Sequence, residues 1–295
     1  MKTITRRDLL KTAAVAVGGV IFLNRPIISW ARRLEATSKV VLVRNQQLFA
    51  NGDNPDLATC RQMLDQALCS LTGQSDAKTA WNSIIKPTDI LGVKTNEWNN
   101  LPTPSEMNQI LKEKALEGGI KEENLSIRDR GVIDDPVFQK ATALINIRPM
   151  RTHAWSGVGS LIKNYILFNP KPSSYHDDSC ASLAEAHDLP LVKGKTKLHI
   201  LVMFRPLFHH VAAQQVSEEY RWNYSGLLVG FDPVAVDSVG LRIIQGKRNE
   251  FFKEDRPLNP PAKHIELADT RYHLGTCDPA KIELVKLGWT SNSFV

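Results

Sequence analysis

A chain of 295 residues is long enough for one large α/β domain or two small ones, and its 42% hydrophobic and 23% charged content is ordinary for a globular protein. The formal charge of +6 is concentrated at the start: residues 1–31 carry Lys2, Arg6, Arg7, Lys11 and Arg25 against Asp8 alone, which is +4 of the total. The remainder is close to neutral and has no basic stripe interleaved with aromatics, which argues against a nucleic-acid partner.

In chain order, the first feature is Thr5-Arg6-Arg7-Asp8-Leu9-Leu10-Lys11, a twin-arginine pattern. An apolar run from Ala13 to Leu23 follows, interrupted by Gly18 and Gly19. It is shorter than the ~20 residues of a spanning helix. Ser29 and Ala31 place small residues where a signal peptidase needs them. The pattern predicts a twin-arginine signal peptide over 1–31 and a single α/β domain over 32–295. It names the twin-arginine translocation machinery as a partner and a periplasmic or extracytoplasmic location, with membrane anchoring if the leader stays uncleaved. That pathway exports folded proteins. An alternative role is therefore a non-catalytic binding or maturation partner of a periplasmic redox system, with a redox protein as its partner.

The β-branched run Lys39–Arg44 predicts a strand, and a helix follows from Pro55 to Leu71 with Gly73 beyond its end. Asp89–Asn96 is a second strand, whose alternation puts Lys94 and Asn96 on one side. A helix then starts at Pro102–Glu106 and stops at Gly118-Gly119. Further strands are expected at Leu125–Asp129, Ala143–Ile147, Lys197–Phe204, Leu227–Gly230 and Lys281–Leu287. Helices are expected at Ala181–His187, from Pro233 to Gln245 with Asp232 as N-cap, and from Ala262 to Tyr272. This alternation predicts an α/β fold, a mostly parallel or mixed sheet with helices on both faces. Ligands of such sheets bind outside the C-terminal ends of the strands. Lys94/Asn96, Asp129/Arg130, Arg151/His153 and Asp232 each follow a predicted strand.

The stretch Asn146–Asn169 concentrates these signals. A strand delivers Arg151-Thr152-His153, a turn is expected at Gly157-Val158-Gly159, and a helix starting at Ser160 carries Lys163 and Asn164. A strand, a glycine turn and a helix N-terminus together present unpaired N–H groups to an anion. Lys94, Arg130, Arg151 and Lys163 are the cations expected to bind an anionic small molecule, with Asn96 and Asn164 as further contacts. His153 is the candidate acid/base, kept neutral by Arg151. Asp237 lies in an otherwise apolar helix, where an acid must be exposed, paired or bound to something; it is the candidate orienting carboxylate.

His176, Asp177, Asp178, Cys180 and His187 form a second group, within which His176 and Cys180 are candidate ligands for a divalent metal. No other cofactor is indicated. Cys60, Cys69, Cys180 and Cys277 include no C-x-x-C pair, so the chain has no iron–sulfur ligand motif.

Taken together, several segments resemble the family catalogued as domain of unknown function 362. They are GVKTN at 92–96, IRDRG at 127–131, INIRPMRTH at 145–153, SLIKN at 160–164, LLVGFDPVAVDSVG at 227–240 and HIELADTRYHLGTCDPAKIELV at 264–285. The resemblance implies an α/β fold of unassigned activity, in a family some of whose members carry iron–sulfur modules. Two positions depart from the family pattern: Arg151 stands where members often have Lys, and Leu201–Phe204 lacks the acid that often ends that strand.

Overall fold

A computed structural model describes residues 38–210 and 216–295. The predicted leader, with its translocation and anchoring expectations, lies outside the described residues. Among the described residues, no helix is long and apolar enough to cross a membrane.

Eight strands form one mixed sheet: β1 (Ser38–Arg44), β2 (Leu91–Lys94), β3 (Leu125–Arg128), β4 (Ala143–His153), β5 (Gly157–Gly159), β6 (Thr196–Leu207), β7 (Gly226–Gly230) and β8 (Ile282–Gly288). Their order is β3-β2-β4-β6-β7-β1-β8, and β5 folds back on β4 as a hairpin. The β3-β2-β4-β6 run is parallel, whereas β7 lies antiparallel to both β6 and β1. The α/β expectation holds, with the sheet mixed rather than wholly parallel.

Alternation along the strands builds two cores. Val41, Val43, Ile145, Ile147, Ile200 and Val229 face one side, covered by α1 (Leu57–Thr72), α2 (Ala77–Ile84) and α3 (Ser105–Glu117). Val40, Leu42, Leu144, Leu201, Met203 and Leu228 face the other. That side is covered by α4 (Pro136–Lys140), α5 (Leu161–Asn164), α6 (Pro233–Phe252) and α7 (Lys263–Thr270). The helix starts are chemically specified: the side chains of Asp56, Asp76, Asp135 and Asp232 each accept first-turn N–H groups. Gly73, at φ 74°, ends α1 in the left-handed region that glycine adopts freely.

Several boundaries differ from the sequence expectation. β4 continues through Arg148 and Pro149 to His153, because β6 runs beside it for most of its length. The predicted glycine turn is instead strand β5, paired Arg151 to Gly159 and His153 to Gly157. The helix after it is a single turn that tightens into a 3-10 segment at Tyr165–Phe168. Ala181–His187 is also largely 3-10, at Leu183–Asp188. Helix α6 runs past Gln245 to Phe252, and α2 is additional.

Candidate functional site

The register places Lys94 beside Arg128 on β3 and beside Asn146 on β4, so β4 projects seven residues beyond the end of β2. Beyond these strand ends lies a cavity of about 230 Å³. Of the sequence-predicted residues, Asn96, Arg130, Arg151, His153, Lys163 and Asn164 line it, as does His176. Lys94, Cys180 and Asp237 stand one contact behind. Lys94 reaches Asp129, a wall residue; Cys180 reaches Lys163; Asp237 holds the start of α5. Asp232 does not join them. Because β7 is antiparallel, Asp232 emerges at the opposite edge of the sheet, where it caps α6 and accepts from Ser38 Oγ (2.6 Å) and Thr276 N–H (2.9 Å).

The cavity floor is cationic. Arg148, which sequence reasoning passed over, is 3% exposed and lines it. Asn146 and Arg148 are two residues apart in a buried strand and therefore share a face with Leu144 and Met150. Two polar residues at that spacing inside an apolar run were the available signal. The Arg148 guanidinium donates to the carbonyls of Pro149 (3.3 Å) and Ser160 (3.2 Å). A register break in the β4–β6 ladder between Pro149 and Arg151 twists the strand end, and Arg151 lines the same cavity although it lies three residues on. The central carbon of the Arg151 guanidinium lies over the Trp98 ring, 3.8 Å from its centre. Its Nε has no partner among the described residues.

Lys163, 5% exposed, meets only the Cys180 thiol, at 3.7 Å. Burial, with Arg148 nearby, pushes the Lys163 pKa down to about 8. Burial likewise lowers both guanidinium groups, which stay charged at neutral pH. Among the described residues, no carboxylate lies within 4.0 Å of Arg148, Arg151 or Lys163. Lys94 differs. Fully buried, it donates to Asp129 at 2.5 Å and to the Thr95 carbonyl at 2.8 Å. Asp129 also accepts the Glu97 N–H.

The first turn of α5 is not open to a ligand, contrary to the sequence expectation. Asp237, fully buried on α6, accepts the N–H groups of Leu161 and Ile162, both at 2.9 Å. The helix N-terminus thus already holds an internal anion, which answers why an acid sits in an apolar helix. Burial raises the Asp237 carboxyl to about 6, opposed by these hydrogen bonds and by Arg148. Below it, the Asn164 amide donates to the Asn146 side chain (2.9 Å) and the Lys94 carbonyl (3.1 Å), tying α5 to β4 and β2. The Asn164 Oδ1 and the Asn96 Oδ1 have no partner among the described residues, and both residues line the cavity. The glycines of β5 serve packing. A Cβ on Gly159 would meet the Arg148 guanidinium at 2.8 Å; one on Gly157, whose φ is +71°, would meet the Pro260 carbonyl at 2.7 Å.

His153 lies in the cavity wall with its Nδ1 accepting the Trp155 N–H at 3.2 Å. Neutral His153 therefore carries its proton on Nε2. Burial first, then Lys163 and Arg151, push its pKa far down, which favours the neutral ring; from sequence, Arg151 alone is the expected cause. A second cavity of about 220 Å³ shares Trp98, Arg151, His153 and Trp155, and adds Thr152 and His210, which are 2.6 Å apart.

The proposed metal ligands face a cationic neighbourhood. Cys180 follows Asp178 and Ser179 in a left-handed turn (φ 48°, 55° and 64°), which brings its thiol to the Lys163 ammonium. His176 instead stacks on Trp155, ring centres 4.4 Å apart, and His187 packs on Tyr165. No group of three or more His, Cys, Asp or Glu side chains suited to a metal occurs among the described residues.

A larger cavity, about 390 Å³, lies beside α1–α3. Its buried and partly buried cations are paired, Arg61 with Glu113 and Glu117 and Lys114 with Asp65, and its remaining cation, Lys78, is exposed. Buried cations without an ion pair, not volume, distinguish the cavity at the strand ends.

Comparison of the chain with protein-family models, with curated proteins and with solved structures finds no match.

Proposed function

We propose that this protein binds an anionic small molecule in the cavity beyond β2, β3 and β4. One observation carries the proposal: buried Arg148 and Lys163 and half-buried Arg151 line one cavity with no carboxylate within 4.0 Å among the described residues. Like charges withdrawn from water repel one another and lose hydration, and a bound anion relieves both costs. Asn96, Asn164 and the neutral His153 Nε2–H complete the polar lining. An arriving anion offsets the cationic part of the shift that holds His153 neutral, while burial continues to favour the neutral ring as a hydrogen-bond donor. A metal at His176 and Cys180 fits less well, because Lys163 stands against the thiol. The kinship to domain of unknown function 362 and the twin-arginine export route rest on the sequence segments alone and belong to this proposal.

The test is a thermal-shift titration of the purified protein with phosphate and sulfate, against sodium chloride at matched ionic strength. The oxyanions should raise Tm in wild type and leave Arg151→Ala and Lys163→Met unmoved. No shift beyond the chloride control, or an equal shift in both variants, would overturn the proposal.

A further inference from the structure

The same cavity has two unlike halves. Its floor is charged, and its upper wall is aromatic and aliphatic: Trp98, Trp155, Ile166 and Leu167. Trp155 is 53% exposed, one of few large apolar side chains left open among the described residues, and its indole stands over the cavity rather than on a featureless surface. The ring is held on one side by His176, with centres 4.4 Å apart, and on its edge by His153 at 5.9 Å. Trp98, in the same lining, carries the Arg151 guanidinium on its face. A ring fixed by neighbours while still half open to solvent, as Trp155 is, offers an unsatisfied stacking surface.

The charge balance of the floor specifies the other half of the ligand. Leaving aside Arg130, which lines the cavity but is exposed, the cations withdrawn from solvent are four, buried Lys94, Arg148 and Lys163 and half-buried Arg151, and the buried carboxylates are two, Asp129 and Asp237. Asp129 is committed to Lys94, and Asp237 to the N-terminus of α5 beside Arg148. An excess of two positive charges is matched by a dianion and only half matched by a carboxylate. The donors also come from three directions, the middle of β4, its twisted end and α5, which suits a tetrahedral oxyanion better than a flat one.

We infer that the ligand is a phosphomonoester carried on a small planar ring, its phosphate on Arg148, Arg151 and Lys163 and its ring against Trp155. This rests on the anion-binding proposal and narrows it. The aromatic side contributes about ten-fold in affinity, the size expected for one ring-on-ring contact.

Calorimetric titration of the full-length protein at pH 7.5 and fixed ionic strength, with inorganic phosphate, benzoate and phenyl phosphate as probes, tests it. Phenyl phosphate should bind at least ten-fold more tightly than either of the others and quench tryptophan fluorescence. In Trp155→Ala, with an unchanged circular dichroism spectrum, phenyl phosphate should fall to the affinity of inorganic phosphate, and inorganic phosphate should move less than two-fold. If inorganic phosphate binds but phenyl phosphate is no tighter, the ring is wrong and the anion site stands. If benzoate equals phenyl phosphate, the dianion is wrong. An advantage that survives in Trp155→Ala overturns the assignment of the wall, and failure of all three probes overturns the anion site itself.

Discussion

Two lysines lie buried within the same end of the sheet, and they are buried for different reasons. Lys94 is fully enclosed and has both a carboxylate and a carbonyl to donate to. Lys163 is nearly as enclosed, yet among the described residues its ammonium meets only a thiol, with two guanidinium groups nearby that disfavour its charge. Burial lowers both to about 8; Asp129 works against that shift at Lys94, and the weaker Cys180 contact does so at Lys163. Equal pKa values therefore conceal unequal roles. Lys94 completes an internal pair that locks the ends of β2 and β3 together, whereas Lys163 holds a charge that the protein alone does not neutralise. A buried cation is informative about ligands only when its partners are counted.

The comparison can be broken most sharply at Lys94. Lys94→Met strands Asp129 without its cation and should cost about 3–5 kcal/mol in urea denaturation, most of it recovered when Asp129→Asn is added. A loss below about 1 kcal/mol would show that the pair is not structural. Asp237→Ala comes next: it leaves the N–H groups of Leu161 and Ile162 buried without an acceptor and should cost about 2–4 kcal/mol by the same assay. Lys163→Met should do the reverse. Stability should stay level or rise by about 1 kcal/mol in ligand-free protein, while affinity for oxyanions drops at least ten-fold. Equal destabilisation by both lysine variants would erase the distinction.

The smallest effect is a pH slope. The unfolded chain holds each lysine proton up to about 10.5, and the folded protein releases it near 8. Between those values the unfolded state binds more protons, so ligand-free stability should rise as pH increases from 8 to 10.5 and gain nothing from these groups below 8. Affinity for sulfate, a dianion throughout, should fall over the same interval as Lys163 loses its charge. A flat stability profile in the double Lys94→Met, Lys163→Met variant would assign the slope.

Much of this was legible in the chain because strand and helix periods are local. The apolar alternation of Lys39–Arg44 and Leu227–Gly230, and Asp232-Pro233 as a helix start, locate their elements without tertiary help. Strand direction is not local: nothing within Leu227–Gly230 states that β7 runs against its neighbours, so Asp232 was grouped with an edge it never reaches. Helix α2 was missed although Asp76 caps it and Ala80 and Trp81 are its buried face. Gly157-Val158-Gly159 has turn composition but strand pairing, since a hairpin partner decides its state. At the strand ends, Asn96, Arg130, Arg151 and His153 do line one cavity, as the strand-end rule expects, and Lys163 and Asn164 join them from α5. Partnerships escaped it. Asp129 sits next to Arg130 in sequence, yet its cation is Lys94, 35 residues away. Asp237 was singled out as an acid needing an explanation, and the explanation lay 75 residues upstream in the N–H of Ile162.

The placement of β1 has a kinetic meaning. This first strand of the domain forms no ladder with β2 or β4; its neighbours are β7 and β8, close to 190 and 245 residues further along. The β2-β3-β4-β6 run can assemble from contacts of much shorter separation, but its antiparallel flank waits for the last strands of the chain. Refolding should accordingly show β2, β4 and β6 protected from hydrogen exchange before Val40–Val43, and the slow step should be the closing of β1 between its two late partners.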